Sequence, residues 1–237
     1  MTSDIIASIR KELQASVDSV TRNNTARYFK EPITLYGVKT AVVNRIAAHH
    51  YSSVKGLSLH HFFNLCEELL KSDYCEEAFI VFNWAQRMEK NFDRNHFSIL
   101  ERWLHDYVNN WAKCDTLCNH PAGSMVSRYP ELVDNLKRWT ASANRWVRRG
   151  SAVTLILPAR RGLFLDDIFN IADRLLADTD DLVQKGNGWM LKEASRLHQR
   201  EVFDYIMKNK AVMPRTSLRY AIEKMTPDLR RSAMSRE

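Results

Sequence analysis

Glycine and proline are scarce, with seven and six among 237 residues. Sandwiches and barrels need a tight turn every few residues, so this scarcity argues for a helical fold. No run approaches the about 20 consecutive apolar residues that a membrane-spanning helix requires. The opening MTSDIIASIRKELQ has no basic segment followed by an apolar one, so no secretory signal peptide is expected. Four cysteines without an export signal point to free thiols in a reducing compartment. No metal is expected either. Cys114-x-x-x-Cys118-x-His120 matches no common zinc-finger spacing, and Cys66 and Cys75 form no partner pair. His49-His50 and His60-His61 are adjacent residues that should point apart on a helix. No glycine-rich phosphate loop is present, which leaves nucleotide hydrolysis without support.

What is present is ordinary for a folded protein: 45% hydrophobic and 27% charged residues. The net charge is +7, and its distribution is uneven. Residues 1–120 hold 14 basic and 14 acidic side chains, whereas residues 121–237 hold 21 and 14. A one-sided basic excess suggests a polyanionic partner, although many basic proteins bind none.

The apolar spacing is helical nearly throughout. Breakers fall at Lys30-Glu31-Pro32, Lys55-Gly56, His120-Pro121-Ala122-Gly123, Tyr129-Pro130, Arg161-Gly162 and Met213-Pro214. Val153–Leu157 has strand propensity but continues the pattern of Trp146–Ala152, so one buried helix is expected there. Residues Arg230–Glu237 read as a frayed end. Segments opening near Glu76, Trp111, Trp146 and Asp181 lie about 35 residues apart. The expected architecture is therefore all-α. It is a curved array of antiparallel helix pairs of the HEAT or armadillo kind, with a concave basic face, in a single domain over residues 1–237.

Three stretches combine tryptophan with charge. Trp111 and Asp115 are at i, i+4 and share a helical face. Arg145, Arg148 and Arg149 form one basic edge around Trp146. Lys185, Trp189, Lys192 and Arg196 lie on one stripe. Cations that neutralise phosphates beside a ring that packs on sugar or base make a nucleic-acid surface. Each feature also has a plainer reading. A tryptophan at helical spacing is usually core, as assigned here to Trp84, Trp103 and Trp139. A basic edge is usually solvated, and Asp115 could cap a helix or pair with Lys113 or an arginine.

At these residues the chain resembles the bacterial DNA alkylation repair proteins of the AlkD type, HEAT-like DNA glycosylases. The resemblance begins at Tyr28-Phe29-Lys30 and runs through Leu35-Tyr36-Gly37-Val38-Lys39-Thr40, similar to that family's early tyrosine and its Gly-Val/Ile-Lys turn. Trp111-x-x-x-Asp115 is similar to its Trp-Asp active-site pair, and Asn144-x-Trp146-x-x-Arg149 to its Trp-x-x-Arg helix. Lys185-x-x-Gly188-Trp189-x-Leu191-Lys192-Glu193 resembles the motif that supplies its second active-site tryptophan. Met213-Pro214-Arg215 and Leu218–Glu223 look like its C-terminal signature. Two departures stand out. Lys192 replaces the usual arginine, which keeps the charge but loses the bidentate fork. Gly186 replaces the usual alanine, which should loosen the start of its helix.

The resemblance implies a monofunctional glycosylase for N3- or N7-alkylated purines in double-stranded DNA. Asp115, Trp111 and Trp189 would be the catalytic set. Tyr28, Lys39, Arg148, Arg149, Lys185, Lys192 and Arg196 would contact DNA. No cofactor, metal or membrane is implied, and a cytoplasmic monomer is expected. The alternatives are a non-catalytic binder of damaged or branched DNA, or a helical scaffold that binds another protein. The scaffold reading predicts that Arg148, Arg149, Lys192 and Arg196 are scattered or salt-bridged.

Overall fold

The computed structural model describes residues 2–235. Every regular element among them is helical, and no helix is long and apolar enough to cross a membrane. The chain divides into two compact units, residues 1–93 and 94–237.

The first unit holds α1 (Thr2–Ala15), α2 (Ser19–Ala26), α3 (Thr40–Val54), α4 (Leu59–Leu70) and α5 (Cys75–Met88). Helix α3 packs on α1 and α5, and α4 packs on α5. The turn before α3 is organised by two glutamates at the start of α5. Glu76 Oε1 accepts from the amides of Gly37 and Val38 at 2.8 and 3.1 Å, and Oε2 accepts from Tyr36 N at 3.1 Å. Glu77 accepts from the Tyr36 hydroxyl at 2.7 Å and from Arg10 Nη2 at 3.1 Å. Both carboxylates are buried, so these donors replace the water they lose. Gly37 sits at φ 91°, and a Cβ there would lie 2.4 Å from Arg22 Cβ, so only glycine fits this turn.

The second unit holds α6 (Phe97–Asp106), α7 (Trp111–Leu117), α8 (Gly123–Arg128), α9 (Val133–Trp139), α10 (Arg145–Val153), α11 (Ile156–Arg160), α12 (Leu165–Arg174), α13 (Asp181–Ala194), α14 (Gln199–Asn209), α15 (Arg215–Ala221) and α16 (Pro227–Met234). Helices α7, α10, α13 and α15 form a continuous packed row, with α9 and α12 laid against it. The roughly 35-residue spacing appears in where these helices start, and short polar caps start them. Asn110, Asn144 and Asp180 each accept a hydrogen bond from an amide in the first turn of α7, α10 and α13.

Three local expectations change. His120-Pro121-Ala122-Gly123 does not break the chain, because a π turn over Cys118–Ala122 joins α7 to α8. The wide turn absorbs a proline that an α-helical ladder would reject. Gly123 lets α8 approach the Thr154 carbonyl, where a Cβ would come within 2.9 Å. Trp146–Leu157 is not one helix, since Thr154 and Leu155 form a turn between α10 and α11. The stretch is nonetheless buried and contains no strand. Arg230–Met234 are helical within α16, capped at its start by the Thr226 hydroxyl, while Arg236 and Glu237 lie outside the described residues. Gly186, expected to loosen the start of its helix, lies within α13, which is helical from Asp181 to Ala194.

Two sets of variants test this packing. Glu76→Ala leaves three backbone donors without their acceptor and is expected to cost roughly 3 kcal/mol or more in urea unfolding. The glycines of α13 should respond in opposite directions. A Cβ on Gly186 would meet Arg149 Cγ at an ordinary 3.4 Å, whereas one on Gly188 would sit 2.4 Å from the Ser217 carbonyl oxygen. Gly186→Ala should therefore stabilise by up to about 1 kcal/mol. Gly188→Ala should destabilise by about 2 kcal/mol or more in the same measurement.

Candidate active site

The polar centre of the second unit is one arginine. Arg149, on α10, is only 5% exposed. Its Nε and Nη2 donate to Asp115 Oδ1 and Oδ2 on α7, both at 2.8 Å. Its Nη1 donates to the Leu182 carbonyl in the first turn of α13. Gly186, one turn on, leaves room for the guanidinium stem. A single side chain thus joins three successive helices of the row. Burial works against its charge, and the Asp115 carboxylate outweighs that, so its pKa is raised.

Asp115 keeps 16% of its side-chain surface exposed. A carboxylate offers about four lone-pair sites, and Arg149 takes two. The aspartate is held in one orientation yet can still accept from a water or face a nearby positive charge. Trp111 lies one turn before it, at the start of α7, and Trp189 lies on the next turn of α13 after Gly186. Trp84, Trp103, Trp139 and Trp146 are all buried, at 0, 0, 3 and 7% exposure. Trp111 and Trp189 are the two of the six tryptophans that remain partly exposed. Trp146 therefore joins the core, where its ring underlies the Arg145 guanidinium at 4.9 Å.

The basic edge of α10 does not face outward as a row of open charges. Arg145 meets Asp180, with Nε 2.8 Å from Oδ2. Arg148 Nε donates to Asp178 Oδ2 at 2.7 Å, and its Nη1 donates to the carbonyls of Ser142 and Ala143. Arg149, expected from the sequence to contact phosphate, is paired with Asp115 in this structure. Arg148 stitches α10 to the connection between α12 and α13, against a partner only 8% exposed. These pairings share one cause, which is that aspartates 30–35 residues away meet this edge in the fold.

The stripe on α13 is likewise paired. Lys192 Nζ lies 3.1 Å from Glu223 Oε2 and 5.8 Å from the centre of the Tyr220 ring. Arg196 donates to Glu193 at 2.5 Å, and Arg160 reaches the same buried oxygen at 2.9 Å. Burial raises the Glu193 carboxyl's pKa, and these two guanidinium groups outweigh it, leaving the pKa below the usual range. Lys185 pairs with Asp181 at 2.7 Å with both partners substantially exposed. Tyr28 and Lys39 belong to the first unit and to none of these contacts. Tyr28 is 77% exposed, and Lys39 lies 3.5 Å from Asp18.

The sequence reading missed Asp178 and Asp180, whose signal was an acidic loop one repeat after a basic edge. Lys113, named from the sequence as a possible partner of Asp115, is buried on α7, and its Nζ donates to Asn109 Oδ1 at 3.1 Å. Asp115 therefore takes its arginine from α10 rather than its own helix's lysine. The thiols of Cys114 and Cys118 are buried, whereas His120 is exposed, so these three residues do not converge. Burial, and then the neighbouring Cys118 thiol, push the Cys114 thiol pKa well above its ordinary value.

A solved structure of a predicted DNA alkylation repair enzyme from Enterococcus faecalis is similar to this fold. Its TM-score is 0.80 at 13% identity, over 90% of this chain and 98% of that one. No curated protein sequence matches. The profile of the DNA alkylation repair enzyme family matches residues 9–225, which takes in all the residues of the cluster around Arg149. The chain belongs to the DNA alkylation repair enzyme family.

Proposed function

We propose that the chain is a DNA glycosylase that hydrolyses the N-glycosidic bond of N3- or N7-alkylated purines in duplex DNA. The observation that carries this reading is the selective exposure of Trp111, Trp189 and Asp115. They stand on two helices that Arg149 joins, while the other four tryptophans are buried.

Alkylation at N3 or N7 gives the purine a formal positive charge. The glycosidic electron pair then leaves with the base and neutralises it, so no general acid is needed. Positive charge develops on the deoxyribose, and a carboxylate held beside that sugar stabilises it. Asp115 is that carboxylate, with Arg149 as its positioning residue. Its remaining lone pairs can orient water toward C1′. Water adds its oxygen to C1′ and releases one proton, leaving a neutral alkylated base and an abasic site. The indoles of Trp111 and Trp189 attract the cationic nucleotide through their ring faces.

The DNA contacts sort by how firmly each cation is already held. Exposed ion pairs contribute about 0–1 kcal/mol, so a phosphate can displace the carboxylate partner of Lys185, whereas Arg196 is held by the buried Glu193. Arg148 is locked by a buried aspartate and two carbonyls, and acts as structure. Lys192, already paired and without a bidentate fork, is the weaker replacement for the family's arginine. In this reading the protein works as a monomer beside DNA in the cytoplasm, and no cofactor takes part in the chemistry.

The first test is single-turnover release of 7-methylguanine from a duplex oligonucleotide. Asp115→Asn, which keeps an acceptor for Arg149, should slow release by about a hundredfold or more while duplex binding persists. Wild-type release that survives in the variant would remove Asp115 from the centre. Salt-dependent binding without release would favour the non-catalytic DNA binder. Neither binding nor release would leave the protein-binding scaffold, to which the ion-paired cations also correspond. A second test separates the cations. Lys185→Ala should reduce the slope of log affinity against log salt by about one phosphate's worth. Arg148→Ala should leave that slope unchanged and lower the melting temperature.

A further inference from the structure

We propose a divalent transition-metal site, zinc in the first instance, formed by Glu12 of α1 with His49 and His50 of α3. The site is independent of the glycosylase reading and lies wholly in the first unit. Adjacent histidines were expected to point apart, yet here their rings lie 4.8 Å apart and both reach the same carboxylate oxygen. His50 Nε2 is 2.8 Å from Glu12 Oε1, and His49 Nδ1 is 3.4 Å from it. One ligand atom from each of the three residues falls within 4.8 Å of the others. In a tetrahedral zinc site with bonds near 2.0–2.2 Å, ligand atoms stand about 3.3 Å from one another. The trio is therefore close to a coordinating arrangement without rebuilding either helix.

The choice of metal follows from the donors. Two imidazoles and one carboxylate suit zinc, cobalt, nickel or copper better than magnesium or calcium, which take all-oxygen sets. Three protein ligands leave a fourth position for water or an anion. Burial is graded across the trio. The His50 side chain is 9% exposed, Glu12 is 34% and His49 is 69%. The inner histidine is fixed by packing, and the outer one can swing to admit the ion. Because α1 supplies one ligand and α3 two, a bound ion clasps α1 to α3. His60 and His61 make a useful contrast. They are a similar pair on α4, but His61 is engaged by Ser58 and His60 lies against Asn64, with no carboxylate between them.

The full-length protein, stripped with chelator, should bind one equivalent of Zn2+ in calorimetry. Co2+ in its place should give the intense visible absorption of a low-coordinate site. Losing a ligand should cost at least the roughly tenfold that loss of a mere supporting residue does. Glu12→Gln and His49→Ala should each show that loss, and the zinc-dependent rise in melting temperature should disappear with it. His49 is mostly exposed, so its alanine variant should fold normally without metal. His60→Ala with His61→Ala should bind as wild type does. Absence of zinc binding overturns the proposal. So does binding that survives both Glu12→Gln and His49→Ala, or binding that is lost only with His60 and His61.

Discussion

Burying a guanidinium obliges the fold to supply a carboxylate and carbonyls in fixed positions, and Arg149 imposes that demand on three helices at once. Removing one partner of such a pair typically costs 3–5 kcal/mol, because the other charge is left uncompensated. Asp115 on α7 and the Leu182 carbonyl on α13 therefore cannot drift independently of α10. Fixing α13 from this side also constrains α15, since Gly188 brings these two helices to near backbone contact. The orientation of Asp115 is a property of the whole row rather than of its own helix. A short seven-residue helix such as α7 would hold it poorly alone.

The same periodicity that builds the row consumes its charge. Helices that start about every 35 residues place equivalent positions of neighbouring repeats side by side. Arg145 meets Asp180 at a separation of 35 residues, Thr216 meets Asp181 at 35, and Arg149 meets Asp115 at 34. Many of the basic side chains in the second half are thus internal mortar, although each such pair spends an acid with its base and leaves the net excess in place. The field that remains for a polyanion comes from that excess, together with cations whose partners are exposed and replaceable, and it is sensitive to salt.

The helical class, the starts of α5, α7, α10 and α13, and the placing of Trp111 and Asp115 one turn apart on one helix were legible in the sequence. Each depends on local signals: periodicity, a polar cap, an i, i+4 spacing. The core assignment of Trp84, Trp103 and Trp139 was legible for the same reason. Trp146 was not, because a ring flanked by arginines looks exposed until the aspartates that neutralise those arginines are in place. The ion pairs of Arg148 and Arg149 were hidden likewise, since their partners lie 30 or more residues away. Glu76 reads as an ordinary first-turn acid of α5, and nothing nearby in the chain reveals the three amides it gathers. The convergence of His49 and His50 on Glu12 depends on the packing of α1 against α3, which a helical wheel of α3 alone excludes.

The π turn at Cys118–Ala122 has a geometric role beyond accommodating Pro121. A wide turn carries one residue more than the regular ladder, and one residue corresponds to about 100° of rotation around a helix axis. The stretch from Trp111 to Arg128 is therefore a single rod with two independently phased ends. Its first end is aimed by α10, which receives Asp115. Its second end is aimed by the Thr154 carbonyl, against which Gly123 rests. The surplus residue works as a mechanical offset between two docking faces. Over these few positions the chain can exchange side chains far more freely than it can change its length.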